Sequence, residues 1–359
     1  MTPTKTTSFI GYLHSFRGFA IINIVLIHAV VAVWLALGRP EANLIMTIAD
    51  ILFHDSTLYF AVISGILFTL VLKHKGYPKF YMSKLKFIII PYVFISIILV
   101  LFKVDILNTT DLQTTFSTYL STLSRDLVFG KADFVLWYIP VLLFLFIITP
   151  LLDYLMLKSK ATKFIFALII LAPLIVSRVQ MAFEYIIKIE TMIYFTGAYA
   201  LGMYMGLNME KNLKWIKDNV KLLISVTIIC TAILFFLTKN DGNSKMLIGV
   251  TSLTESIHYI HKICLAALFM LFFKSLGENQ PKWLSTLARD SFAIYFLHGF
   301  ILFGNISVFM YFISKIDFSP LNIIIGSIIL LVYSILLSML IVRIFKKLFG
   351  KKSRMFIGS

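Results

Sequence analysis

The chain has 359 residues, 59% of them hydrophobic and 14% charged, with a mean hydropathy of +0.92. No water-soluble domain of this size carries that composition without a very large exposed apolar surface, so a soluble fold is excluded. The net charge of +16 would raise nucleic acid as a partner in a soluble protein, but membrane topology accounts for its sign, and no nucleic-acid partner is expected. Runs such as Phe87 to Leu101 are continuously apolar instead of alternating, which speaks against the strands of a β-barrel and for helices of about 20 residues.

In chain order, apolar spans fall near 18–37, 51–72, 87–103, 134–157, 164–180, 191–208, 222–237, 258–275, 291–312 and 321–342. The expected fold class is an all-α polytopic membrane protein of about ten transmembrane helices. Arg17 stands where the first apolar stretch begins, without a basic leader or small-residue cleavage pattern, so that stretch reads as a retained helix. Alternate connections collect the basic residues: Lys73 to Lys86, Lys158 to Lys163, Lys211 to Lys221, Lys274 to Arg289, and the tail from Arg343 to Arg354. Basic residues concentrate on the cytoplasmic side, and these connections hold roughly two-thirds of the 33 present, so both termini are expected there. No Pro-, Ser- or Gln-rich linker appears, the longest outer connections being the polar stretches 104–133 and 238–257, and residues 1–359 read as a single membrane-embedded domain with no separate soluble domain.

In the sixth span, Ala198, Gly202 and Gly206 recur every four residues, a spacing that lets a second helix approach closely. Cys230 and Cys264 fall inside spans, so no disulfide framework is expected.

Ionisable groups at membrane depth are expensive and need a reason. On the first helix, His28 follows Arg17 by eleven residues. At ~100° per residue that is about 20° beyond three turns, with a rise of ~16 Å, so both side chains share one face, Arg17 at the inner rim and His28 near mid-depth. A histidine there serves as a general base, a proton relay or a satisfied interior residue. Arg17 either holds phosphate or a polarised carbonyl, or snorkels to the headgroups. His298, on one face with Ser291 and Tyr295, is either a second polar group lining the same cavity or a structural hydrogen-bonding group. His54 and Asp55 lie near the outer face and are read as an acceptor contact or a solvated pair. His258 and His261 lack an evident third ligand besides Glu255, and no metal is expected. Asp153 sits deeper, where a buried cation is its candidate partner. Trp137 is a candidate sugar platform among tryptophans otherwise suited to an interfacial belt.

Phe16 to His28, with its Arg, ten intervening residues and His, resembles the opening of the membrane-bound acyltransferase-3 family. Later segments are similar to the family's in order: Tyr59 to Leu67 with Ser64-Gly65, Lys84 to Tyr92, Leu136-Trp137-Tyr138 with Pro150, and Ser291 to His298. The chain departs from many members in having His14 where they have an acid, and Lys84 and Lys86 where they have paired arginines. The resemblance implies transfer of an acyl group, commonly acetyl, from acyl-CoA inside to a hydroxyl of a cell-surface or lipid-linked glycan, by a multi-pass protein of the plasma (inner) membrane. On this reading His28 and Arg17 are catalytic, and His28 acts as general base or transient acyl carrier. Lys84, Lys86 and Arg17 bind the donor, while Ser64, Trp137, Tyr295 and His298 line the cavity. The alternatives are an exporter of polysaccharide or lipid-linked saccharide, and a proton-coupled transporter.

Overall fold

The first helix, α1 (Thr6–Ala36), is strongly apolar overall with no single apolar stripe, as suits a helix surrounded by others. The structure, a computed structural model, describes residues 6–38, 44–104, 112–178, 188–241, 246–248, 251–304 and 319–358. After α1 come α2 (Leu44–Phe53) and α3 (Thr57–Leu67), the latter prolonged by a wide π-type turn over Phe68–Leu72. Next is α4 (Tyr77–Lys84), joined by a second such turn at Leu85–Ile89 to α5 (Ile90–Val104). Then follow α6 (Leu112–Phe129), a 3₁₀ turn at Phe134–Trp137, α7 (Tyr138–Leu157), α8 (Lys160–Leu171), α9 (Ile189–Leu207) and α10 (Met209–Asp218). The chain continues through α11 (Val220–Asp241), α12 (Leu253–Ser275), α13 (Lys282–Arg289), α14 (Ser291–Gly304), α15 (Pro320–Phe349) and a short last helix, α16 (Ser353–Ile357). Its extended structure is a single antiparallel pair, β1 (Met246–Ile248) with β2 (Thr251–Ser252), among the described residues. The protein is thus an all-α polytopic membrane protein.

Seven helical stretches among the described residues are long and apolar enough to cross a membrane: Gly11–Ala36, Leu44–Lys75, Tyr77–Val104, Phe134–Leu157, Val220–Thr238, Leu253–Ser275 and Leu321–Ile357. They coincide with seven of the ten spans expected from sequence. The other three differ for separate reasons. The span at 164–180 is represented by the 12-residue α8, which ends where Pro173 leads the chain into a 3₁₀ turn. The span at 191–208 is a helix of 19 residues, α9, diluted by glycine, threonine and tyrosine. The span at 291–312 is a helix of 14 residues as far as Gly304, and its remainder lies outside the described residues.

The α1 helix packs against α2, α3, α12, α13, α14 and α15, which makes it the centre of the bundle. Helices α11 and α15 lie at the rim, and Ile228, Ile229 and Phe236 of α11 and Ile328, Leu336 and Leu340 of α15 are exposed, as lipid-facing side chains should be. The closest pairing is α3 against α9. A Cβ on Gly65 would stand 2.2 Å from the Tyr199 carbonyl oxygen, and one on Gly202 would stand 2.2 Å from that of Val62. The small residues spaced along α9 therefore let two backbones touch. Asp153 has its cation, Lys73 Nζ at 2.7 Å, and also accepts from Tyr77 Oη at 3.0 Å. At the α13–α14 junction, Asp290 accepts from Lys346 Nζ at 2.7 Å and so ties α15 to the bundle.

Candidate active site

The α1 and α14 helices bring two histidines together. His28 Nδ1 lies 2.9 Å from His298 Nε2, and the two rings are stacked with centroids 5.1 Å apart and planes 25° from parallel. His298 Nδ1 lies 2.8 Å from the Tyr295 carbonyl oxygen and 3.1 Å from that of Ile294. A carbonyl only accepts, so His298 Nδ1 must carry a hydrogen, and in the neutral ring its Nε2 is left with the lone pair. The hydrogen between the rings then belongs to His28 Nδ1. His28 Nε2 consequently carries a lone pair, with no hydrogen-bond partner among the described residues. His298 is fully buried, whereas His28 keeps part of its surface open.

The wall beside this pair is built by the Phe134–Trp137 turn. Phe134 meets the His28 ring edge-on, with centroids 5.2 Å apart and planes at 84°. Asp133 caps the turn by accepting from the Val135 N–H at 3.3 Å, and Tyr295 donates its hydroxyl to the Val135 carbonyl. A Cβ on Gly299 would stand 2.6 Å from an Asp133 carboxylate oxygen, so the missing side chain is what admits the turn. Burial pushes the Asp133 carboxyl up to about 6. Tyr295 is therefore a clamp that positions the wall, its hydroxyl already engaged.

At the other end of the same α1 face, the Arg17 guanidinium lies 4.9 Å from the centre of the Phe292 ring, and its Nε is buried with no hydrogen-bond partner. Lys84 lies between aromatic faces, 4.4 Å from Phe146 and 5.2 Å from Phe80. Arg354 of α16 rests 4.2 Å over Phe87, near enough for its charge to act on both Arg17 and Lys84. Among the described residues no carboxylate stands within ion-pair distance of these three cations. Lys86 does not join them. It is exposed, because two residues along a helical path turn it about 200° from Lys84. Ser64 is half-buried on α3 without a hydrogen bond to the histidines or cations, next to the glycine that touches α9.

A third polar group lies at the His54 end. Asp55 adopts a left-handed φ of 59°, which an aspartate tolerates better than most residues, and pairs with Arg178. Asp55 also accepts from Tyr194 Oη at 3.1 Å and lies 3.2 Å from His54 Nε2. Arg178 is 3.6 Å from Glu255, 4.8 Å over the Tyr194 ring and 6.0 Å from Trp137. His258 Nε2 is 3.9 Å from Asp50, whereas His261 bonds Thr231 at 3.1 Å. No His, Cys, Asp or Glu group with metal-binding geometry occurs among the described residues. Trp137 thus belongs to this mutually paired cluster, whose His54 is near enough to His28 for their charges to interact.

A family model described as an acyltransferase domain matches residues 10–343. The chain belongs to the acyltransferase-3 family. No curated protein and no solved structure matches it. The matched segment of this membrane acyltransferase holds Arg17, His28, Lys84 and His298, whereas Arg354 lies beyond it. Sequence reasoning gave no role to Arg178, Phe134 or Arg354. The first two lie at the ends of the expected spans 134–157 and 164–180, where the helical period gives out, and Arg354 looks like one basic residue of a basic tail. The signal that marks it is the apolar run Met355-Phe356-Ile357 directly after it, which a purely solvated tail has no use for.

Proposed function

We propose that this acyltransferase transfers an acyl group, commonly acetyl, from acyl-CoA on the cytoplasmic side of the plasma (inner) membrane to a hydroxyl of a cell-surface or lipid-linked glycan. The observation that carries the reading is the His28–His298 pair, whose hydrogen-bond pattern leaves a lone pair on His28 Nε2. A sugar hydroxyl is a weak nucleophile near neutral pH, and a fixed base is what it needs.

In the proposed reaction the glycan oxygen attacks the thioester carbonyl carbon as His28 Nε2 takes the hydroxyl proton. The tetrahedral intermediate then expels the CoA sulfur, which takes that proton back from His28 Nε2. An ester is formed, a thioester is broken, and His28 is regenerated. His298 holds the His28 ring in the required tautomer and shares the positive charge that forms. An acyl-histidine intermediate at the same Nε2 gives the same products in two steps. The cations at the Arg17 end suit the phosphates of the donor, because half-buried positive charge without a carboxylate partner favours an anion. The basic connections on that side support a cytoplasmic position for it.

The test is analysis of surface glycans, by mass and by NMR, from cells with the gene deleted and cells carrying His28→Ala at normal protein levels. Loss of ester groups with polymer still outside supports the reading. Fully acylated glycan, or loss of surface polymer with unaltered polymer inside, contradicts it; the second outcome marks an exporter.

A further inference from the structure

We infer that the last helix, α16, completes a binding site for a polyphosphate anion, with Arg354 as its third cation beside Arg17 and Lys84. Identifying that anion with the nucleotide end of acyl-CoA rests on the function proposed above; the site itself does not.

Three observations carry the inference. First, α16 is seated in the bundle instead of trailing from it. Ser353 and Ile357 are each 1% exposed, and Phe356 packs edge-on against Phe94 of α5 with centroids 5.3 Å apart. At the end of the helix Gly358 has a φ of +78°, and a Cβ there would stand 3.1 Å from the Cβ of Phe292. Gly358 thus packs against the same residue whose ring lies under Arg17. Second, that seating sets Arg354 over Phe87 with its side chain open to solvent and so to a ligand, whereas the equally exposed Lys351 and Lys352 on the preceding turn make no such aromatic contact among the described residues. Third, the three charges repel one another, and each rests against an aromatic face: Arg17 on Phe292, Lys84 on Phe146 and Arg354 on Phe87. Cation–π contacts contribute about 0.5–2 kcal/mol each and do not neutralise charge. Packing that holds three cations together against their repulsion is explained by a ligand with several negative oxygens, and arginine contributes the fork that matches phosphate geometry.

A phosphoryl group can come from a soluble nucleotide or from a lipid headgroup, and the two are separable by experiment. The full-length protein is placed in phosphatidylcholine nanodiscs and titrated calorimetrically with inorganic pyrophosphate and with CoA. The expected result is binding of both, weakened at least tenfold by Arg354→Gln, less by Arg354→Lys, and less than twofold by Lys351→Gln. Equal affinity of Arg354→Gln and the unaltered protein overturns the inference while leaving the acyl-CoA reading intact if CoA still binds. An equal loss with Lys351→Gln also overturns it, since that reports only bulk surface charge. Binding of pyrophosphate without CoA, still dependent on Arg354, supports the site and counts against acyl-CoA as donor. Repeating the titration with phosphatidylglycerol at matched ionic strength separates the sources. An Arg354 effect that persists supports a soluble ligand, whereas its disappearance assigns the site to headgroups and overturns the inference.

Discussion

His28 Nδ1 and His298 Nε2 stand 2.9 Å apart although 270 residues separate them in the chain. Because His298 Nδ1 is committed to backbone carbonyls, the proton order along the relay is fixed from its far end, and the free lone pair falls on His28 Nε2.

Removing the orienting ring should therefore affect turnover more than donor binding. His298→Ala is expected to lower kcat by about 10²-fold, within the range of acid–base contributions, with KM for the acyl donor changed less than threefold. His298→Gln, whose side-chain oxygen can accept from His28 Nδ1, should recover part of the loss. Steady-state kinetics on the purified protein read both. A rise in KM at unchanged kcat would assign His298 to donor binding instead.

The two lysines of the basic segment should separate. Lys84→Gln is expected to raise the KM for acyl-CoA about tenfold, consistent with one lost charge-assisted contact, while Lys86→Gln should leave it within twofold. Equal effects would show that the segment acts as a general basic surface.

What the sequence made legible follows from periodicity. Arg17 and His28 share a face because eleven residues close nearly three turns, and the glycines of α9 mark a helix contact because small residues recur every four. The hydrogen bond from α1 to α14 is a tertiary fact with no local signature. So is the choice between Lys84 and Lys86: the helical period separates the two, but which of them joins the cations depends on which side of that stretch faces the bundle. Of the three spans that differ from expectation, 164–180 is cut short at Pro173 and 191–208 is diluted by polar residues and glycine, while the remainder of 291–312 lies outside the described residues.

The α3–α9 approach gives a stability prediction. Gly202→Ala places a methyl group 2.2 Å from a backbone carbonyl, which no rotamer change relieves. Overpacking of this kind costs about 1–3 kcal/mol, and the thermal midpoint in detergent should fall by several degrees. Gly304→Ala is the control, since a Cβ there meets nothing nearer than 3.5 Å among the described residues.

Asp133 gives a pH prediction. Its folded carboxyl, near 6, is raised above the unfolded value of 3.8, so ionisation disfavours the folded state. The penalty is absent below about pH 4, grows between 4 and 6, and is complete above 6. Asp133→Asn keeps an acceptor for the Val135 N–H without that charge. Its thermal midpoint should exceed that of the unaltered protein at pH 8 and converge with it as the pH falls towards 4. A difference independent of pH would mean that the carboxyl is not responsible.

The most direct test of the central claim is acyl transfer in vitro. The protein in nanodiscs is given radiolabelled acetyl-CoA and a de-esterified surface glycan from its own cells, and the glycan is counted. The account predicts incorporation by the unaltered protein and loss of at least 10²-fold with His28→Ala, with CoA binding and thermal midpoint retained. Transfer by His28→Ala at the unaltered rate would contradict it.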